Sequence, residues 1–241
     1  MMISKNEVKY IQSLCHKKQR QQDGLFIAEG PKIIEELLNS NYTIHKLFAV
    51  KEWIANNPLQ SIDTAEVSGM ELEKISSLQT PNQVLALVKA KIATEPVLKG
   101  KLSLVLDGIQ DPGNLGTIIR IADWFGVNEI ICSADTAELY NPKVVQSTMG
   151  SFIRVNVWYG DLKTFLNSNK KLPVYGTMLQ GKSIYAIDKP KEGLLIIGNE
   201  GRGIREEIIP FIKYPVTIPR IGGAESLNAG VAAGIVVSHL V

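Results

Sequence analysis

The sequence predicts an α/β protein: a mainly parallel sheet with helices on both faces, preceded by a smaller α/β module. Three observations carry this. Short, nearly all-apolar runs at 102–106 and 194–197 have the pattern of strands buried on both faces. Segments with apolar residues at helical spacing separate these runs, and such alternation is the mark of parallel sheets. Finally, the polar stretch 89–101, with Pro96 and Gly100, reads as a linker. A boundary near residue 97 gives two domains, 1–97 and 98–241.

In the first part the spacing predicts a helix over 4–15, a strand over 25–28 and a helix over 31–38 with proline in its first turn. A strand over 46–50, a short helix over 70–77 and a closing strand over 83–88 follow. In the second part strands are expected near 102–106, 129–132, 152–157, 173–177, 193–197 and 215–218. Helices near 114–125, 141–149, 161–168, 203–209 and 226–240 separate them. No repeat or low-complexity segment interrupts this order.

Composition is that of an ordinary globular chain: 241 residues, 45% apolar, 21% charged. No apolar run is long enough to span a bilayer, and the N-terminus lacks the apolar core of a signal peptide. Cys15 and Cys132 form no C-x-x-C pair, and His16, His45 and His239 cluster with no other ligand type. The expectation is therefore no metal, reduced thiols and a cytoplasmic location. A net charge of +2 is weak evidence for nucleic acid. Its distribution says more: Lys5, Lys9, Lys17, Lys18 and Arg20 face only Glu7 within the first 22 residues. That run is either a phosphate-binding patch or a solvated helix face.

Three segments carry chemistry. In the first, a strand ends at Asp107, turn residues follow to Gly113, and Asn114 opens a helix that carries Arg120. Arg120 either reaches back over the loop at the helix start or pairs on the surface with Asp123 or Glu129. In the second, a buried-type strand runs into Gly198-Asn199-Glu200-Gly201-Arg202-Gly203. This is neither the dinucleotide G-x-G-x-x-G nor a P-loop. A carboxylate and a guanidinium between glycines at a strand end lie where α/β sheets bind ligands, although a tight loop with an exposed Glu200 fits as well. In the third, Ile218-Pro219 leads through Gly222-Gly223 to Ser226-Leu227-Asn228 and a small-residue helix. Its glycines let backbone approach a ligand and its helix start offers free N–H groups, or Ser226 is simply a cap.

Together the three segments resemble the three motifs of the SpoU (TrmH-type) class of the SPOUT superfamily, knotted RNA ribose 2′-O-methyltransferases. The resemblance spans roughly residues 102–241. The upstream stretch around Glu29-Gly30 is similar to the L30e-like substrate-binding domain that many members carry. The resemblance implies an L30e-like module followed by a SPOUT domain whose C-terminal helix threads a trefoil knot. It also implies S-adenosylmethionine as methyl donor, structured RNA as substrate (ribosomal RNA before transfer RNA), and a homodimer with Arg120 supplied across the interface.

Carried over residue by residue, Asn114, Arg120, Glu200, Ser226 and Asn228 would form the reaction centre. Thr177, Gly198, Gly201, Ile218 and Leu227 would line the cofactor pocket. Lys17, Lys18 and Arg20 would meet RNA. Arg120 reads either as the base or as a clamp for the developing alkoxide, since a guanidinium keeps its proton near neutral pH. The rival readings are a non-catalytic RNA-binding protein that retains the knotted scaffold, and a nucleotide-using dehydrogenase. The wrong glycine order argues against the dehydrogenase.

Overall fold

The computed structural model describes residues 3–57, 59 and 62–241. Helices α1 (Lys5–Ser13) and α2 (Lys17–Asp23) lead into β1 (Leu25–Glu29). Then come α3 (Pro31–Leu38), β2 (Ile44–Ala49), α4 (Lys51–Ala55), β3 (Thr64–Glu66), α5 (Gly69–Ile75) and β4 (Val84–Lys89). The chain continues through β5 (Leu102–Asp107), α6 (Pro112–Trp124), β6 (Glu129–Ser133), α7 (Pro142–Thr148) and β7 (Asn156–Gly160). It ends with α8 (Leu162–Ser168), β8 (Val174–Ser183), β9 (Gly193–Gly198), β10 (Tyr214–Thr217) and α9 (Ala229–Leu240). These elements form two compact units. One is the chain up to Ile92 together with Glu138–Ile153; the other is Ala93–Ala137 with Arg154–Val241.

The first unit holds a four-stranded sheet in the order β1-β4-β2-β3. Strand β4 runs antiparallel to both neighbours, and β3 is parallel to β2. Local chemistry sets its helices. Ser4 caps α1 by accepting from the Glu7 N–H, and Ser68 with Glu71 forms a capping box on α5. Ile11 and Leu14 then pack with Leu72, Ile75, Ile27, Phe48, Leu85 and Leu87 into one core. Phe26, adjacent to Ile27, points to the opposite face. There it stacks on Tyr140 at 4.4 Å and meets Phe152 edge-on at 5.7 Å, so the 138–153 segment completes this unit. The sequence did not predict α2, α4 or β3. The first is polar throughout and lacks a periodic signal, and the other two are very short.

The second unit holds a six-stranded, wholly parallel sheet in the order β10-β8-β9-β5-β6-β7. Val105, Ile131, Leu194 and Ile196 pack with Leu162 and Leu166 of α8 and with Ile204 and Ile208. Their chain neighbours alternate to the other face, where α9 lies against β9 and along α6. The mixed α/β class and the parallel sheet match the expectation.

Four local expectations are corrected. The helix expected over 203–209 is a turn followed by a 3₁₀ turn at Ile209–Phe211. The Arg205 N–H goes to the Asp107 carboxylate, which takes the segment out of a helical hydrogen-bond ladder. The strand expected over 152–157 begins only at Asn156, because Phe152 belongs to a 3₁₀ turn and to the aromatic cluster. Helix α6 opens at Pro112 with Asp111 as its cap, which puts Asn114 in the first turn. Helix α9 is capped by Asn228 and not by Ser226.

Candidate active site

The site builds up at the carboxyl ends of β5 and β9, where Asp107 lies opposite Gly198 in the ladder. Parallel sheets leave a ligand crevice at this end. Leaving β9, the chain turns back on itself: Asn199 and Gly203 exchange backbone bonds of 3.0 and 2.9 Å. A Cβ on Gly198 would fall 2.3 Å from the Gly203 carbonyl carbon, so only glycine lets the turn close this tightly. Asn199 staples it. Its Oδ1 accepts from the Gly201 and Arg202 N–H groups, and its Nδ2 donates to the Gly108 carbonyl at 2.7 Å.

A second tether joins the same ends. Asp107 is buried and accepts from the Arg205 backbone at 2.8 Å and from its Nε at 2.6 Å. Burial works against the Arg205 charge, but the Asp107 carboxylate outweighs it, and the guanidinium is held above its usual range. Nearby, the Ser133 hydroxyl, with Arg205 and Arg202 adding, holds the Asp135 carboxyl below its usual value. Sequence reasoning missed Asn199, Asp107 and Arg205. Asparagine within a glycine turn was the one local signal available.

The turn carries Glu200 to α6 and α9. Asn114 Nδ2 donates to Glu200 Oε1 at 2.6 Å, and Asn228 Nδ2 donates to Asn114 Oδ1 at 2.8 Å. Asn228 Oδ1 accepts from the Val231 N–H at 3.2 Å as the α9 cap. Three of the five expected centre residues, one from each motif, are therefore joined in a single chain of hydrogen bonds. Ser226 sits two residues before Asn228 on an exposed loop. Arg120 is exposed on α6 and makes no ion pair or hydrogen bond with the described residues; Asp123 instead holds Arg154 at 2.8 Å.

Of the expected pocket residues, Gly198 and Gly201 belong to the stapled turn. Thr177 lies within β8, which runs on to Ser183, and donates its hydroxyl to the Ile196 carbonyl of β9 at 3.1 Å. Ile218 and Leu227 bracket an exposed loop over 219–226. Such a loop offers backbone donors and acceptors together with apolar side chains, as an adenosine group requires. The residues present fit that group.

In the first unit Lys17 and Lys18 are exposed, but Arg20 is only 4% exposed. Its guanidinium donates to the Leu14 and Cys15 carbonyls at 2.9 and 2.8 Å and pairs with Glu138. Arg20 therefore builds the turn between α1 and α2 and does not present its charge to RNA. No cluster of three or more metal-ligand side chains occurs among the described residues, and none of their helices is long and apolar enough to cross a membrane.

A parallel sheet with glycine-bearing turns gathered at its carboxyl end, joined by a polar relay, defines a small-molecule-using α/β enzyme. Residues 101–238 match the SpoU rRNA Methylase family, residues 5–86 match the MRM3-like substrate binding domain, and the chain belongs to the SpoU family. It is 32% identical over 242 residues to the 23S rRNA (guanosine(2553)-2′-O)-methyltransferase RlmP of Bacillus subtilis, covering 98% of this chain and 97% of that protein. Among solved structures, a TrmH-family protein from Porphyromonas gingivalis superposes with TM-score 0.89 at 35% identity, covering 100% of this chain and 98% of the other. An AdoMet-bound rRNA methyltransferase from Sinorhizobium meliloti gives 0.88 at 29% identity, covering 100% and 96%.

Proposed function

We propose that this protein transfers the methyl group of S-adenosylmethionine to a ribose 2′-hydroxyl of ribosomal RNA. The observation that carries the reading is the Asn228–Asn114–Glu200 relay, which unites the three motifs at one point. A retired site in a purely RNA-binding scaffold has no physical need of it. The relatives named for 23S rRNA and for bound AdoMet support the substrate and the cofactor.

When bound, S-adenosylmethionine supplies an electrophilic methyl on a sulfonium that is already a good leaving group. The protein's part is alignment and proton removal. Alignment in well-oriented systems is worth about 7–11 kcal/mol. Gly198, Gly201, Thr177, Ile218 and Leu227 hold the cofactor, mostly through backbone groups. Asn114 and Asn228 are neutral and mutually fixed, which suits positioning, and Ser226 adds a hydroxyl on the same loop.

Residues 1–97 act as the RNA substrate-binding domain, which the 138–153 segment completes, and the rest of 98–241 acts as the methyltransferase domain, with α9 threaded as the trefoil knot. Gly230 supports a tight seat for that helix, since a Cβ there would meet Thr117 at 3.0 Å. Lys17 and Lys18 contact phosphates. The protein works as a cytoplasmic homodimer. Trp124 on α6 and Val231 on α9 are 84% and 52% exposed, a large apolar area for a surface to leave to water. The partner completes each site with its free Arg120, which fixes a phosphate or the developing alkoxide.

Calorimetry with S-adenosylmethionine, followed by mapping of 2′-O-methyl positions in rRNA from a deletion strain, tests this reading. Absence of both binding and a missing methyl rejects it.

A further inference from the structure

Resting on the methyltransferase reading, we propose that Glu200 is the catalytic residue that accepts the proton of the ribose 2′-hydroxyl. The relay runs in one fixed direction. Amide nitrogen and oxygen are hard to tell apart by shape, so their orientation must come from partners. Here one end is fixed: the Val231 N–H is a donor, so the Asn228 atom facing it is Oδ1. The Asn228 Nδ2 must then donate to Asn114, whose Oδ1 receives it, leaving the Asn114 Nδ2 to donate to Glu200. The α9 N-terminus thereby dictates that Glu200 accepts through Oε1. A carboxylate meets that demand and keeps the lone pairs of Oε2 for a further donor.

No other group in the relay can take a proton. Both asparagine oxygens already accept, and a guanidinium such as that of Arg120 is protonated throughout the neutral range. Glu200 is half-buried at the carboxyl end of β9, on the turn that Asn199 and Gly198 hold against β5. Asp111 also carries a carboxylate at the start of α6, and its Oδ1 is engaged as the helix cap. The remaining charges on the elements that meet here are Arg202, Arg205, Glu206 and Glu207 on the same segment, Asp107 and Asp135 beside them, and Arg120 and Asp123 further along α6, where Asp123 holds Arg154. Helix α9 brings none before His239 in its last turn.

The step balances. The 2′-oxygen forms a bond to the methyl carbon, and the carbon–sulfur bond breaks with its electron pair going to sulfur. The hydroxyl proton passes to Glu200 Oε2, and water later takes it. The products are the 2′-O-methyl ribose and the neutral thioether.

The test uses the full-length protein, S-adenosylmethionine and an unmodified 23S rRNA transcript. Glu200→Gln keeps an oxygen for Asn114 but removes the proton acceptor. It should melt with the wild type and bind S-adenosylmethionine within about twofold by calorimetry. Its single-turnover methyl transfer should fall about 100-fold or more, within the usual range for losing a general base. Glu200→Asp, which keeps a carboxylate, should recover part of the single-turnover rate that Glu200→Gln loses. Two results overturn the proposal: Glu200→Gln within threefold of wild type, or a loss of cofactor affinity that accounts for the loss of rate. An active wild type with an indifferent Glu200→Gln removes this inference alone. A wild type that neither binds the cofactor nor methylates removes the methyltransferase reading with it.

Discussion

Asn228 donates to Asn114 at 2.8 Å across 114 positions of sequence, so the residue that starts the last helix also orients an amide in the first turn of α6. Two roles in one side chain can be separated. Asn228→Ser retains an oxygen for the Val231 N–H but lacks the reach to donate to Asn114. Its melting temperature should stay within about 3 °C of wild type, while methyl transfer falls about tenfold or more. Asn228→Ala loses the cap as well and should cost about 1 kcal/mol in stability. Full activity in Asn228→Ser would show that the relay has no part in the reaction.

Gly198 tests the turn. An added methyl meets backbone 2.3 Å away, which no side-chain rotation relieves. Gly198→Ala should open the 199–203 turn and weaken S-adenosylmethionine binding at least tenfold, about 1.4 kcal/mol by calorimetry. Wild-type affinity would place the cofactor elsewhere.

The basic run near the N-terminus divides by burial. Lys17→Ala with Lys18→Ala should leave the melting temperature unchanged and lower RNA affinity, with the log–log salt slope reduced by about 1.5. Arg20→Ala strands two carbonyls and the Glu138 carboxylate. It should destabilise the protein by about 1–3 kcal/mol, with no change in salt slope beyond what unfolding explains. A slope change from Arg20→Ala in folded protein would restore it as a phosphate contact.

Trp124 tests the association. Sedimentation at micromolar concentration should show a dimer, and Trp124→Arg should give a monomer of unchanged circular dichroism, because the charge cannot be desolvated in an apolar interface. A monomeric wild type would refute both the dimer and the delivery of Arg120 by a partner.

The two thiols should behave differently toward a thiol reagent. Burial holds the Cys132 thiol well above its usual value, so it stays protonated and unreactive in the folded protein. Cys15 is exposed, yet partial desolvation first, and Glu29 next, also raise its thiol. One group should react natively, faster as pH rises from 7 to 9 because the thiolate fraction grows, and two after denaturation. Two fast native thiols would contradict the burial of Cys132.

Much of the second unit was legible because its strands are apolar on both faces and its turns carry glycine, a signal contained within a few residues. Asn114, Glu200 and Asn228 were each visible for the same local reason. Their bonding was not, since nothing near Asn114 encodes a partner 86 or 114 positions away. The same limit explains the errors. The 203–209 stretch looks helical until Asp107, 98 positions earlier, takes the Arg205 N–H. Arg20 looks like one more surface base until Glu138, 118 positions later, is folded onto it.

The membership of Glu138–Ile153 in the first unit bears on inheritance. A front module copied alone, up to Ile92, would travel without the acid that neutralises Arg20 and without two of the rings around Phe26. Such a fragment should be insoluble or molten on expression.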